Sequence, residues 1–201
     1  MPLYITDGTT AKKLEGHGVV WSSGYSTTDV SHFDVEYSSA RSAGYGRFII
    51  ELHNIHVNGY ALIMTPMSAA NTVDTIGCYG GYYSHGEANG DITSNDLSFN
   101  NRRGFPISAL QGGVELNTYM GNYTINISDP TQGTSNAFPN VWWHGTHRIS
   151  GSTASHIAGA GVHNRFNSHY GVRFETSDPS NNRILEYGYT LYALRSGTSS
   201  V

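Results

Sequence analysis

The alternation of apolar and polar residues near the end of the chain restricts its fold more than any other feature. In residues 170–176, Val172 and Phe174 fall on one side of an extended backbone, while Arg173 and Glu175 fall on the other. Successive side chains of a β-strand point to opposite faces, so a period of two in a segment rich in Val, Phe, Tyr and Thr predicts a strand. We expect Arg173 and Glu175 to lie on the solvated face of a sheet that packs on its other side.

The same period recurs along the chain. Residues 187–195 alternate in this way, and the turn formers in 177–182 predict the connection from the preceding strand. The full set of predicted strands is 32–37, 47–56, 60–65, 76–83, 114–119, 123–128, 140–149, 156–163, 170–176 and 187–195. Short strands separated by Gly, Ser and Asn turns predict an all-β fold, an antiparallel β-sandwich that is jelly-roll-like, over residues 26–201.

The composition agrees with strands and restricts the partners. Charged residues make up only 13% of the chain, against 24 glycines and 14 tyrosines, and aromatic residues suit a pleated surface. The net charge is −4 and the basic residues are dispersed, whereas nucleic-acid-binding proteins usually carry a clustered basic face. No apolar run approaches the length of a membrane span. We therefore expect no nucleic-acid partner and no membrane insertion.

One cysteine and the character of the first residues bear on where the chain is made. Cys78 is the only cysteine, so no intramolecular disulfide can form and folding does not depend on oxidation. Residues 1–8 have neither the charged region nor the apolar region of a secretory signal. These features predict a chain that is made in a cytoplasm and that a virus particle could carry elsewhere.

Residues 1–25 differ from the rest of the chain. They hold a short strand-like stretch, the only two lysines and a second apolar stretch. They are either an attachment arm that docks on a partner or the ordinary first strands of the domain, because termini are loose unless contacts tie them down. The candidate attachment residues are Tyr4, Ile5, Lys12, Lys13 and Leu14.

The region 84–113 has no strand pattern and is rich in Gly and Asn. Long loops in compact domains are usually functional or disordered, so this region is a candidate contact surface. Just after it, residues 114–128 predict a hairpin that turns at Met120-Gly121-Asn122, where Gly and Asn can supply positive φ angles.

The histidines predict no metal site. His53 and His56 are three residues apart, as are His144 and His147, and this spacing places the two rings of each pair on opposite faces of a strand. The alternative for the second pair is a turn at Gly145, which would let both rings face the same ligand. A zinc site needs three or four converging ligands. His163 and His169 have no carboxylate within a few residues and are expected to be structural or surface groups.

The carboxylates predict no catalytic residue, and no motif predicts a cofactor. A glycosidase needs two carboxylates that face each other across a cleft. Glu51, Glu115 and Glu175 each alternate with larger apolar residues, which is the pattern of the solvated face of any half-exposed antiparallel sheet. We therefore expect a protein that is not an enzyme.

Two aromatic clusters supply the candidate contact residues. Trp142 and Trp143 are adjacent, so a strand displays one ring and buries the other, and the pattern does not say which. A displayed Trp or Tyr has a flat apolar face that suits both sugars and protein partners, and the alternative is that these rings cap the core or lie in a subunit interface. The candidate glycan- or partner-contact residues are Tyr79, Tyr82, Tyr83, His85, Trp142, Trp143 and His144.

Five segments follow one another along the chain: Arg47–Ile55, Gly59–Met64, the central strands with Tyr123–Ile127, Gly171–Phe174, and Gly188–Arg195 after a polar turn. This order resembles the jelly-roll head domains of fibre, spike and other virion-surface proteins of tailed bacteriophages. The resemblance covers about residues 45–195 and rests on short motifs, with Ala193 where the pattern usually has Gly.

The resemblance implies a virion structural protein, a tail fibre, spike or capsid-decorating protein that is often homotrimeric. We expect it to assemble with copies of itself and with other virion proteins, through the N-terminal arm and subunit interfaces. Its aromatic clusters or the region 84–113 would then contact host-surface polysaccharide. The alternative is a free carbohydrate-binding or carbohydrate-active protein, because β-sandwiches host both classes.

Overall fold

The computed structural model describes residues 4–6, 11–13, 19–58, 61–88, 91–108, 118–128, 139–150, 153–164, 169–176 and 183–195. Strands dominate these residues, and one short helix accompanies them. In chain order they are β1 (Tyr4–Thr6), β2 (Ala11–Lys13), β3 (Val19–Ser26), β4 (His32–Glu36), α1 (Ser38–Ser42), β5 (Tyr45–Val57), β6 (Leu62–Ala69), β7 (Thr72–Val73), β8 (Cys78–Ala88), β9 (Asp91–Arg102), β10 (Phe105–Pro106), β11 (Thr118–Ser128), β12 (Asn140–Ser150), β13 (Thr153–His163), β14 (Gly171–Thr176) and β15 (Ile184–Arg195).

Two antiparallel sheets pack face to face, which confirms the prediction of an all-β sandwich. The larger sheet has the strand order β3-β15-β5-β11-β12-β13-β8-β9. The smaller sheet has the order β10-β6-β14-β4, with β7 paired to β6. The two strands that close the chain therefore lie in different sheets, because β14 pairs with β4 and β6 whereas β15 pairs with β3 and β5.

The core lies between the sheets and follows the alternation of the sequence. In β5, Phe48 and Ile50 are fully buried, while Arg47 on the opposite face is exposed. Aromatic rings of the described strands also connect the two sheets. Phe33 of the smaller sheet stacks on Tyr187 of the larger one with ring centroids 4.4 Å apart, and Phe105 lies 6.0 Å from Trp143.

The first described strands divide the N-terminal region into two parts. β1 pairs with β2, so that Tyr4 lies opposite Lys13 and Ile5 opposite Lys12. β3 instead belongs to the larger sheet, where it pairs with β15. Its residues include the predicted boundary between the arm and the domain at residue 25. Leu14 lies outside the described residues.

The prediction that region 84–113 lacks strands is wrong. β8 continues to Ala88, and β9 spans Asp91–Arg102 as the last strand of the larger sheet. Main-chain hydrogen bonds make a strand ladder whatever the side chains are, so Gly- and Asn-rich segments can join a sheet whose neighbouring strands are already in place.

The predicted hairpin at residues 120–122 is also wrong, since Thr118–Ser128 forms one strand. The pairing register shifts near Gly121 on both sides, which marks a β-bulge. A Cβ atom at Gly121 would lie 2.6 Å from the ring of Tyr123. Glycine at this position therefore makes room for a neighbouring ring and does not turn the chain.

A second bulge overturns the prediction for His53 and His56. Asn54 has a φ of 51°, and the buried position moves from Leu52 to Ile55, three residues later. The extra residue brings the two histidines to the same face of the larger sheet. His144 and His147 follow the prediction, because the first is exposed and the second is buried on the opposite face.

Glu175 is buried, so its prediction as a solvated group is wrong. The Thr65 hydroxyl donates a hydrogen bond of 2.9 Å to its carboxylate, and the Arg103 guanidinium lies 2.8 Å away. Arg103 belongs to the turn that follows β9, and this turn packs closely on β6, since a Cβ atom at Gly104 would lie 2.8 Å from the main-chain oxygen of Met64. Glu51 lies in the other sheet, and Glu115 lies outside the described residues.

Candidate functional site

Four of the predicted contact residues lie on the outer face of the larger sheet, which turns away from the core. Tyr79 and Tyr83 come from β8, and Trp142 and His144 come from β12. Trp142 is 37% exposed and Tyr83 is 39% exposed, so both rings are accessible from outside the sandwich. We call this surface the outer face.

The outer face contains a shallow trough with a floor of small residues. Trp142 lies opposite Ala160 and Tyr83 lies opposite Ala158, both on the intervening strand β13. Gly81 completes the floor of this open trough of about 710 Å³. The trough runs across β13, β8 and β9, with Ser98 at its β9 side, and Trp142 stands beside it on β12.

A cation lies against the exposed indole of Trp142. The Arg47 guanidinium carbon is 5.5 Å from the centroid of the Trp142 ring. This distance is in the range of a cation–π interaction, which orients the indole on the face. The outer face thus presents the indole of Trp142 beside a floor of small residues. Because these residues have short side chains, a partner could come close to the main chain there.

Two other predicted contact residues lie inside the sandwich. Trp143 is only 2% exposed, and Tyr82 is buried beside it in the same core. A Cβ atom at Gly159 would lie 2.1 Å from the Trp143 ring, so this indole packs directly on a glycine of β13. The prediction that one indole is displayed and the other buried is confirmed, with Trp142 as the displayed one.

His85 lies opposite His156 in the pairing of β8 with β13, and its side chain lies outside the described residues. On the same face, His53, His144 and His156 border a shallow depression of about 330 Å³ together with Glu51. In the described part of the chain, no group of three or more His, Cys, Asp or Glu side chains is placed to share a metal ion.

A deeper cleft opens at the edge of the sandwich, between β3 of the larger sheet and β4 of the smaller sheet. Its volume is about 450 Å³, and its lining includes Trp21, Tyr170, Tyr189, Asp34, Glu36 and Ser38. The rings of Trp21 and Tyr189 lie 4.8 Å apart at an angle of 49°. We call this site the edge cleft.

The carboxylates of the edge cleft are held by neighbouring side chains. Arg173 donates two hydrogen bonds to Asp34, at 2.7 and 2.8 Å, and this contact raises the pKa of the guanidinium. The Tyr170 hydroxyl donates to Glu36 at 2.8 Å, and the pKa of this phenol is raised chiefly by that hydrogen bond.

The floor of the edge cleft is fixed as well. The Tyr189 hydroxyl donates to the main-chain oxygen of Asp34 at 3.3 Å. Burial raises the pKa of Tyr189, and the nearby Tyr187, Glu36 and Asp34 raise it further. The negative field of the two carboxylates therefore reaches the floor of the cleft.

Sequence reasoning did not find the edge cleft, because its walls come from distant parts of the chain. Trp21 fell within the predicted arm, while Tyr170 and Tyr189 fell in predicted strands of unknown order. One local signal was available. In β4, Asp34 and Glu36 alternate with two buried apolar residues, so both acids lie on the same side of that strand.

A chain of polar groups begins at Tyr37, which lines the edge cleft. His163 and His169 are both buried, with His163 Nδ1 and His169 Nε2 only 2.7 Å apart. The Tyr37 hydroxyl is 3.2 Å from His169 Nδ1, and Asp74 is 3.6 Å from His163 Nε2. Burial lowers the pKa of His169, and the neighbouring His163 and Arg41 lower it further. Both rings are buried, which agrees with the expected structural role.

His147 is buried in a different way. In the described part of the structure, neither of its ring nitrogens has a hydrogen-bond partner, and the Tyr123 ring lies 6.1 Å from it. Burial lowers the pKa of His147 to about 4. A histidine of this kind stays neutral at physiological pH and acts as an apolar core residue.

Among the described residues, no helix combines the length and the apolar character that a membrane crossing requires. The chain matches no family model, and comparisons with curated proteins and with solved structures gave no significant match.

Proposed function

We propose that this chain is a structural protein of a tailed-bacteriophage virion, a fibre, spike or capsid-decorating protein that assembles with copies of itself. The observation that carries the proposal is the outer face, where Trp142 and Tyr83 stand beside a floor of alanine and glycine. Tyr, Trp and Arg are the residues on which binding energy concentrates at protein interfaces.

The shape of the outer face suits a second protein chain. Small residues at 81, 158 and 160 let a neighbouring backbone come close, and the flat strands around them offer a wide area. A stable interface buries about 800 Å² on each partner, which a face of several strands can supply. The resemblance to phage head domains favours a homotrimer.

The positions of the resembling segments also support the proposal. Arg47–Ile55 lies in β5 and Gly188–Arg195 in β15, and these two strands pair with each other as the third and second strands from one edge of the larger sheet. Gly171–Phe174 lies in β14, which pairs with β6 in the smaller sheet. The segments that resemble the phage proteins therefore supply two paired strands of the larger sheet and the inner strands of the smaller sheet.

Light scattering of the purified protein tests assembly, and we expect three chains per particle. The variant Ala160→Arg places a long charged side chain on the trough floor and should give monomers, whereas Ala70→Arg, at an exposed turn position, should leave the trimer intact. A wild-type protein that is a stable monomer would contradict the proposed assembly.

Mass spectrometry of purified particles tests the virion location. The protein should be present in particles of the phage whose genome encodes it, in a constant ratio to the capsid protein. Its absence from washed particles would rule out the virion role. The edge cleft favours a second candidate, a free carbohydrate-binding protein, and a monomer that binds a glycan would support that candidate over the first.

A further inference from the structure

We propose that the edge cleft is a saccharide-binding site that takes one uncharged pyranose ring. This inference deepens the surface role proposed above, on which it rests only for the source of the ligand, a glycan of the host surface. The outer face is not part of the site, because the trough residues and the cleft residues do not overlap.

The size and the ends of the cleft suit a compact ring. Its volume of about 450 Å³ falls in the range of small-molecule sites, roughly 300–1,000 Å³. Helix α1 follows β4 after one residue, and its Ser38 and Ser39 line the cleft. An extended peptide that paired along β4 would meet this helix, so the closed end favours a ring over an added strand.

The aromatic side chains offer the apolar contact that a sugar needs. A pyranose has one face of C–H groups, and such groups pack well on an aromatic face. Trp21 is partly exposed at the wall, while Tyr189 is buried at the floor and tilted by 49° from it. The two rings therefore form a corner in which a flat apolar face meets a second aromatic surface.

The polar groups of the cleft are already in place before a ligand binds. Asp34 is fixed by Arg173 and Glu36 by Tyr170, so neither carboxylate has to be ordered on binding. An ionised carboxylate accepts about four hydrogen bonds, which leaves capacity for the hydroxyl groups of a sugar. Ser38 and Ser39 add hydroxyl groups that can donate or accept.

The charge of the cleft selects among saccharides. Arg173 balances the charge of Asp34, whereas Glu36 is held by the neutral phenol of Tyr170. The carboxylate of a uronic or sialic acid would meet this negative charge at close range. Neutral hexoses, 6-deoxyhexoses and N-acetylhexosamines avoid that cost, and their hydroxyl groups supply the donors that the acidic residues need.

Saturation-transfer NMR and calorimetry of the full chain test the proposal. The probes are the methyl glycosides of glucose, galactose, mannose, rhamnose and N-acetylglucosamine, together with methyl glucuronide and tetramethylammonium as acidic and cationic comparisons. At concentrations up to about 10 mM, at least one neutral glycoside should bind, and methyl glucuronide should bind at least tenfold more weakly.

Matched variants locate the binding. Trp21→Ala removes the aromatic wall, and Ser39→Trp fills the mouth without removing a core side chain; each should weaken binding about tenfold or more. Tyr25→Ala removes an exposed ring from the same strand, and Trp142→Ala removes the exposed ring of the outer face; both should bind as the wild type does. If Trp21→Ala fails to fold, Ser39→Trp decides.

Binding of no neutral glycoside, equal binding of the glucuronide, a preference for the cation, or binding that Ser39→Trp leaves unchanged would each overturn the proposal. These results are distinguishable from failure of the proposed function. A trimer present in virions that ignores every sugar refutes the cleft alone, whereas a monomer absent from virions that still binds a neutral sugar refutes the virion role alone.

Discussion

Replacement of His147 by phenylalanine should make the protein more resistant to acid. The ring is buried, and in the described structure its two nitrogens make no hydrogen bond, so phenylalanine has a similar shape and breaks no polar contact. In the wild type, the neutral ring has to stay neutral for the fold to persist. Its pKa is lowered from 6.5 to about 4 by burial, whereas the unfolded chain takes up the proton at the ordinary value.

The size of the effect follows from this difference in pKa. Above pH 6.5 both states hold a neutral ring, and His147 adds no pH dependence. As the pH falls from 6.5 towards 4, the unfolded state binds the proton first and the folded state loses stability; below about 4 the loss levels off. At pH 5 the loss is about 2 kcal/mol, since each unit of pKa difference is worth about 1.4 kcal/mol.

Urea unfolding at pH 7 and at pH 5, at one protein concentration, measures the loss of stability in each variant. We expect the wild type to lose about 2 kcal/mol more than His147→Phe between the two pH values. His144→Phe is the matched control, because His144 lies on the same strand but is exposed, and this variant should behave as the wild type does. An equal loss in the wild type and in His147→Phe would refute the reasoning.

Two further substitutions test other contacts of the structure. Arg103→Gln removes the ion-pair partner of the buried Glu175 and should lower the free energy of unfolding by about 2 kcal/mol. Arg102→Gln changes the neighbouring exposed arginine, which takes no part in this contact, and should alter stability little; equal stability of the two variants would argue against a stabilising contact between Arg103 and Glu175. Gly159→Ala places a methyl group 2.1 Å from the Trp143 ring and should lower the free energy of unfolding, measured by chemical denaturation, by about 1–3 kcal/mol. The loss should be smaller in a Trp143→Phe background. An equal loss in that background would show that the contact with Trp143 is not its cause.

The features that could be predicted from the sequence are the local ones. Residues 47–56 were predicted as a strand, and in the resulting β5 Phe48 and Ile50 share the buried face. Adjacency in β12 required one exposed and one buried indole. Both results depend only on the pleat of a single strand, in which neighbouring side chains point to opposite faces. Strand propensity and turn residues are also local properties of the sequence. For this reason most of the predicted strands are present in the structure.

The features that sequence reasoning missed depend on contacts between distant residues. Glu175 has the alternation of a solvated group, but Arg103 reaches it from a turn 72 residues away along the chain. The bulge at Asn54 adds one residue within β5 and so moves His56 to the opposite face of the sheet. No local pattern in the sequence indicates this bulge. To predict the edge cleft, one would have to know that β3 and β4 are edge strands of the two sheets and lie next to each other. The strand order of the sheets decides this, and no local pattern contains it.

The three tryptophans occupy three different environments, so their intrinsic fluorescence can report on three different parts of the protein. Trp21 lines the edge cleft, Trp142 stands on the outer face, and Trp143 is sealed in the core. Variants that keep a single indole would separate the three signals: emission from the first would respond to a sugar, emission from the second to a neighbouring subunit, and emission from the third to loss of the fold. Ligand binding, assembly and unfolding could thus be followed in one sample without an attached dye.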